Sequence, residues 1–330
     1  MIRRFYVLPL MPGVPEARVQ EMIDVLSAAD RFIPGLSDSS AGWDHDAGTV
    51  VWENTFVDEA SYSGPYMVHP YHIGAIDNYV MPDSPECITE NTYATRYTTA
   101  DAAQQVRGGI RRVLLLNAGS DADASAVQAL AAQPQGMAGS AFGADDVGWV
   151  SAKGRAWTHV WEQAFTDTAQ LEGYLAGSDG RACSSVEGLA GLGINVGSLQ
   201  IFTCPFGLSS EEQQASPPTP PDTTPVQYSI TARIDPADAD TYVDLLERHY
   251  DRFMEAGGCP LVHRGRTVDQ GYLEIEVHST WRIDSLAAYS DLRATTIADP
   301  NWKDFVARAM PLVRGGTRRF HRAADPSTLP

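Results

Sequence analysis

The sequence predicts an α+β protein of three βαββαβ units, the first two closing into one intrachain α/β barrel. Three observations predict it. The chain repeats itself, a proline-rich stretch sets off its C-terminal part, and each of the three parts carries the same order of strand and helix patterns. The repeat is read from Ile2-Arg3-Arg4, which returns as Ile110-Arg111-Arg112, and from Val51-Trp52-Glu53, which returns as Val160-Trp161-Glu162. The shifts are 108 (Ile2 to Ile110) and 109 (Val51 to Val160), so residues 1–100 and 101–207 are two copies of one unit. The run Ser216-Pro217-Pro218-Thr219-Pro220-Pro221 lacks amide donors and fixes φ. Residues 208–225 are therefore predicted to be a linker, and residues 226–330 a third unit.

In the first unit, residues 2–10 read as a strand and residues 15–29 as a helix. Val19, Met22, Ile23 and Leu26 give that helix an apolar stripe at i, i+3, i+4, i+7. Ile33-Pro34-Gly35 stops it. A second strand runs to Trp43, residues 44–48 turn, and residues 49–56 form a third strand. A helical region over residues 60–79, broken near Pro70, precedes a last strand over residues 88–97. In the third unit, Asp235-Pro236-Ala237-Asp238 predicts a helix start, with Asp235 as cap and Pro236 in the first turn. Tyr242, Leu245, Leu246, His249 and Phe253 form that helix's core face. Residues 273–281 read as a strand and residues 285–291 open the next helix. This order is that of ferredoxin-like folds.

Two helices cover one face of such a sheet, and the other is expected to be apolar and to seek a partner. Units one and two are expected to close on each other. Unit three would then pair with its counterpart in a second chain, which predicts a homodimer. Unit one with unit three is the rival pairing.

The chain has 330 residues, 43% hydrophobic and 20% charged, with a net charge of −18. That balance disfavours nucleic acid, which is bound through Lys and Arg, and anionic membranes. No apolar run reaches the ~20 residues of a membrane helix. The N-terminus, interrupted by Pro9 and Pro12, reads as a strand and not as a leader. Four scattered cysteines without a CxxC pair fit a reducing cytoplasm. There is no HExxH, GxGxxG, Walker loop or GxSxG, so neither metal nor cofactor is expected.

Strand alternation puts Arg4 and Tyr6 on one face of their strand, and Arg112 on the matching face of its own; Trp52, Asn54 and Phe56 share one face of another strand, as do Trp161 and Gln163. If these faces line the barrel, two guanidiniums point inward. A buried Arg needs an anion, so Arg4 and Arg112 read either as a clamp for a substrate acid or enolate, or as salt-bridge partners of Glu53 or Glu162. Asn54 and Gln163 set one amide between aromatics, which suits an apolar pocket with a few oriented hydrogen bonds. The expectation is one active pocket in unit one, with unit two as scaffold.

Unit one resembles the dimeric α/β-barrel, or stress-responsive A/B-barrel, superfamily. The resemblance rests on the opening strand, the Ile33-Pro34-Gly35 turn, the Phe56–Asp58 strand end and the run Tyr66-Met67-Val68-His69-Pro70-Tyr71-His72. That run is similar to one in plant cyclases of the olivetolic acid type. Unit three, through Arg233-Ile234-Asp235-Pro236-Ala237-Asp238-Ala239, distantly resembles small bacterial aromatic polyketide cyclases. The resemblance implies His72 as catalytic base and Tyr66 as substrate holder, with Arg4 standing where those cyclases have a histidine. It further implies proton-transfer chemistry on a small aromatic or carbonyl compound. A cofactor-free or haem oxygenase acting on a phenol is the second reading, and a non-catalytic binding or stress-response protein the third.

Overall fold

The computed structural model describes residues 1–90, 92–99, 109–133, 136–146, 157–205, 224–267, 274–296 and 299–322. Three antiparallel four-stranded sheets are built. The first comprises β1 (Ile2–Pro9), β2 (Leu36–Asp44), β3 (Thr49–Phe56) and β4 (Tyr93–Thr98). The second comprises β5 (Ile110–Ala118), β6 (Gly139–Ala144), β7 (His159–Phe165) and β8 (Val196–Pro205). The third comprises β9 (Val226–Ile234), β10 (Leu261–Arg266), β11 (Ile275–Ile283) and β12 (Val313–His321). Each sheet has the same strand order, β2-β3-β1-β4, β6-β7-β5-β8 and β10-β11-β9-β12. This is the ferredoxin-like arrangement, made three times. The predicted linker falls on residues that lie, but for Thr224 and Pro225, outside the described ones.

The chain divides into two compact units. One holds Met1–Tyr62 and the chain from Glu90 through β8; the other holds Ser63–Thr89 and the chain from β9 onward. In the first, two sheets face each other. Phe5, Val7 and Val51 of one meet Val113, Leu115, Val160 and Phe202 of the other in a shared core. The sheet edges approach closely: a Cβ on Gly143 of β6 would lie 2.1 Å from the Tyr97 ring of β4, and one on Gly42 of β2 would lie 2.2 Å from the Pro205 carbonyl of β8. Only glycine fits at those two crossings.

The barrel corrects one expectation. Arg4, Tyr6, Arg112 and their cross-strand partners do not line its interior. Residues directly opposite in an antiparallel pair share a face, and Phe5 stands opposite Glu53, and Val113 opposite Glu162. The inner faces are therefore Arg3-Phe5-Val7 and Arg111-Val113-Leu115. Of each adjacent Arg pair the first turns inward, because Glu53 and Glu162 wait there. Arg3 lies 2.7 Å from Glu162 and 3.3 Å from Glu53; Arg111 lies 2.9 Å from Glu53 and 3.4 Å from Glu162. Tyr97 donates a short hydrogen bond to Glu162. The salt-bridge reading thus holds for Arg3 and Arg111, not for Arg4 and Arg112.

Locally the patterns act as read. Helix Glu16–Ser27 buries Val19, Met22, Ile23 and Leu26. In the other unit, helix Ala239–Leu245 buries Tyr242 and Leu245, but it starts later than predicted. Asp235 instead closes a turn, its carboxylate accepting from the Ala237 amide at 3.0 Å. A second correction concerns the third sheet. Its helix-free face is polar: Ser229 bonds Thr280 at 2.9 Å, Thr231 bonds His278 at 2.9 Å, and Arg233 and Arg282 are exposed. The apolar character expected of that face is not found among the described residues.

Candidate functional site

The helix-covered face of the first sheet gathers Arg4, Tyr6, Trp52, Asn54 and Phe56. Arg4 Nη2 donates to Asn54 Oδ1 at 2.8 Å. The Ser39 hydroxyl accepts from Asn54 Nδ2 at 3.2 Å and from Trp52 Nε1 at 2.8 Å, and donates to the Leu26 carbonyl. The guanidinium sits 5.0 Å from the Trp52 ring, 5.3 Å from Tyr6, and 5.6 Å from Phe56 and Tyr62. Several ring faces around one buried cation supply attraction that water no longer can.

The second sheet repeats this plan on its own helix-covered face. Arg112 Nη1 donates to Gln163 Oε1 at 2.6 Å and Nη2 donates to Ser184 Oγ at 3.0 Å. Gln163 Nε2 passes the polarity on to the Tyr174 hydroxyl at 3.1 Å. Trp161 is buried on the same face, its Nε1 donating to Ser140 Oγ at 2.8 Å. Arg112 is buried, and among the described residues no carboxylate forms an ion pair with it. Burial lowers its pKa and raises those of the Tyr174 phenol and the Cys183 thiol. Beside Tyr174 opens a cleft of about 370 Å³, bordered by Gly136, Gln170, Gly173, Ser178 and Asp179. Unit two, expected to be scaffold, carries both a polar cluster and a cleft. The shift of 108 that carries Tyr66 onto Tyr174 was the sequence signal for it; Ser184 had none.

Tyr66 and His72 belong to the other compact unit, not to that of Arg4. Pro65 and Pro70 withhold amide donors, so this stretch forms short helical pieces instead of one α-helix. Among these pieces, His72–Ile76 and Asp77–Val80 follow each other directly. Tyr66 is fully buried, with its ring 4.2 Å from that of His72. His72 Nε2 lies 3.8 Å from Asp77 Oδ1, and Asp77 Oδ2 accepts from Arg293 Nη1 at 2.7 Å. The neighbouring His69 is tied locally, Nδ1 accepting from the Tyr71 amide at 3.2 Å, and burial lowers its pKa. Asp77 and Arg293 had no sequence signal, being 216 residues apart. The stretch is held by Arg318 of β12, fully buried. Arg318 donates to the Ile73 carbonyl at 2.9 Å, Asn78 Oδ1 at 3.3 Å, and the hydroxyls of Tyr228 at 3.1 Å and Tyr289 at 2.9 Å.

The four cysteines are unbridged. Among the described residues no group of three His, Cys, Asp or Glu is placed to hold a metal, and no helix is long and apolar enough to cross a membrane.

The chain is thus an α+β protein of ferredoxin-like units, with buried polar clusters on the helix-covered faces of its sheets. The NIPSNAP family model matches residues 230–328, from within β9 past the end of β12. A NIPSNAP family protein from Agrobacterium tumefaciens is 20% identical, covers 32% of this chain and 91% of its own, and has a TM-score of 0.28. A NIPSNAP domain protein from Burkholderia xenovorans is 21% identical over 32% of this chain and 98% of its own, with a TM-score of 0.27. An anthrone oxidase-like protein is 14% identical over 66% of this chain and 96% of its own, with a TM-score of 0.44. No curated protein matches the chain.

Proposed function

We propose that the protein is a cofactor-independent enzyme of proton-transfer chemistry, a cyclase, dehydratase, isomerase or lyase. Its substrate is a small hydrophobic or aromatic compound bearing a carbonyl or acid, and His72 is its base. One observation carries this reading: His72 lies against a carboxylate that is itself fixed by Arg293. A general base needs its imidazole held in one tautomer and orientation. Asp77 lies 3.8 Å from Nε2, and the imidazole takes a proton from the carbon next to the substrate carbonyl. The imidazolium, held by Asp77, returns it to the product or leaving group. The Tyr66 ring seats the imidazole. The test is deuterium exchange at the α-carbon of a panel of aryl ketones and oxo acids, measured by NMR. His72→Ala should lower the exchange rate by about 10²–10⁴-fold while the circular dichroism stays that of the parent. Full exchange by a folded variant removes His72 from the role.

Arg112 favours a second reading, ligand binding without turnover. A buried guanidinium that no carboxylate among the described residues pairs with would gain most from an organic anion reaching the cluster of Gln163, Ser184 and Tyr174. Calorimetric titration with aromatic carboxylates should then give binding that Arg112→Gln weakens at least ~10-fold, about the worth of one charge-assisted hydrogen bond. Equal affinity of variant and parent would reject it.

A further inference from the structure

The barrel of the first unit encloses five ionisable side chains joined by ion pairs: Arg3, Arg111, Glu53, Glu162 and Asp38. Two guanidiniums thus face three carboxylates. A guanidinium keeps its charge at any ordinary pH. Net negative charge largely buried between two sheets is costly, because little water reaches it. Among these five described groups balance calls for one proton, and the geometry decides where it sits. Glu162 is fully buried and takes both guanidiniums and the Tyr97 hydroxyl; despite burial, Arg3 and Arg111 hold its carboxyl below the usual range. Glu53 takes Arg111 at 2.9 Å and Arg3 at 3.3 Å. Asp38 has the longest link, 3.6 Å to Arg3, and the most open side chain, 19% exposed. It lies on edge strand β2, beside the bulge in that strand's pairing with β3.

We propose that the barrel is a proton-sensing closure: one exchangeable proton resides on the Asp38 carboxyl below neutral pH, and the closed barrel is less stable once that proton is gone. The groups that bear on Asp38 come from four elements. Glu53 of β3 and Asp30 of the helical turn Ala29–Phe32 disfavour its charge, while Arg3 of β1 and Arg111 of β5 favour it. Burial and Glu53 prevail and push the Asp38 carboxyl up to about 7. Below about pH 4 the unfolded chain holds this proton too, and there is no bias. Between about pH 4 and 7 only the folded chain keeps it, so stability falls as pH rises. Above about 7 the proton is lost from both states and the deficit stays constant.

Urea unfolding of the parent and Asp38→Asn, from about pH 5 to 8.5, tests this. The folding constant of the variant relative to the parent should climb about tenfold per pH unit up to about pH 6.5, then level off, as loss of one linked proton requires. A ratio that stays flat across this range overturns the proposal. Should the variant not fold, the carboxyl-carbon NMR resonance of Asp38 in the parent decides: a midpoint near about 7 supports the proposal, and one near about 4 overturns it.

Discussion

Arg3→Met should cost the first compact unit about 3–5 kcal/mol of stability, the usual toll of breaking a buried ion pair from one side. Arg3 is fully buried, and its removal leaves Glu162 with Arg111 as its remaining guanidinium, Thr55 without its donor and Asp38 without its ion-pair partner. The loss is one of unpaired charge more than of volume, since Met fills much of the same space. Adding Glu162→Gln should recover at least half of it, because the amide oxygen still accepts from Tyr97 while the stranded charge is gone. Urea unfolding of the two single variants and the double variant measures both effects. A single variant losing under about 1 kcal/mol would mean that water already reaches this network.

Arg318→Met should destabilise the second compact unit by about 2–4 kcal/mol, through several charge-assisted hydrogen bonds lost together. Its donors satisfy the Ile73 carbonyl, Asn78 and two tyrosine hydroxyls at once, and rings of Tyr228, Tyr289 and Phe320 surround the guanidinium at 5.1–5.7 Å. Two of those acceptors lie on the stretch that carries His72. Amide exchange between His72 and Val80 should therefore quicken in the variant more than exchange in β9 and β11. Unchanged protection there would show that Arg293 and its partner Asp77 suffice to hold the stretch.

Much of the fold was legible because a repeat and a period are local properties. Val19, Met22, Ile23 and Leu26 announce their helix without help from the rest of the chain. Alternation within each strand was legible too, grouping Trp52 with Asn54 and Trp161 with Gln163, but the register that sets Arg4 opposite Asn54 and Arg112 opposite Gln163 was not. What alternation cannot supply is its own phase. With two arginines in succession, either could face inward, and the choice rests on Glu53 and Glu162, which meet Arg3 and Arg111 only after two sheets have closed. The surroundings of His72 were hidden for a similar reason. Asp77 is near it in sequence, but Arg293 arrives from a distant helix, and Arg318 from the last described strand.

The division of the chain has a consequence for its synthesis. Ser63–Thr89 leaves the ribosome before most of the first compact unit, yet its partners Arg293 and Arg318 come near the end. At common elongation rates that stretch waits roughly 10–50 s for them. During that interval Tyr66 and Ile73, interior residues in the finished molecule, lack the C-terminal partners that complete their surroundings.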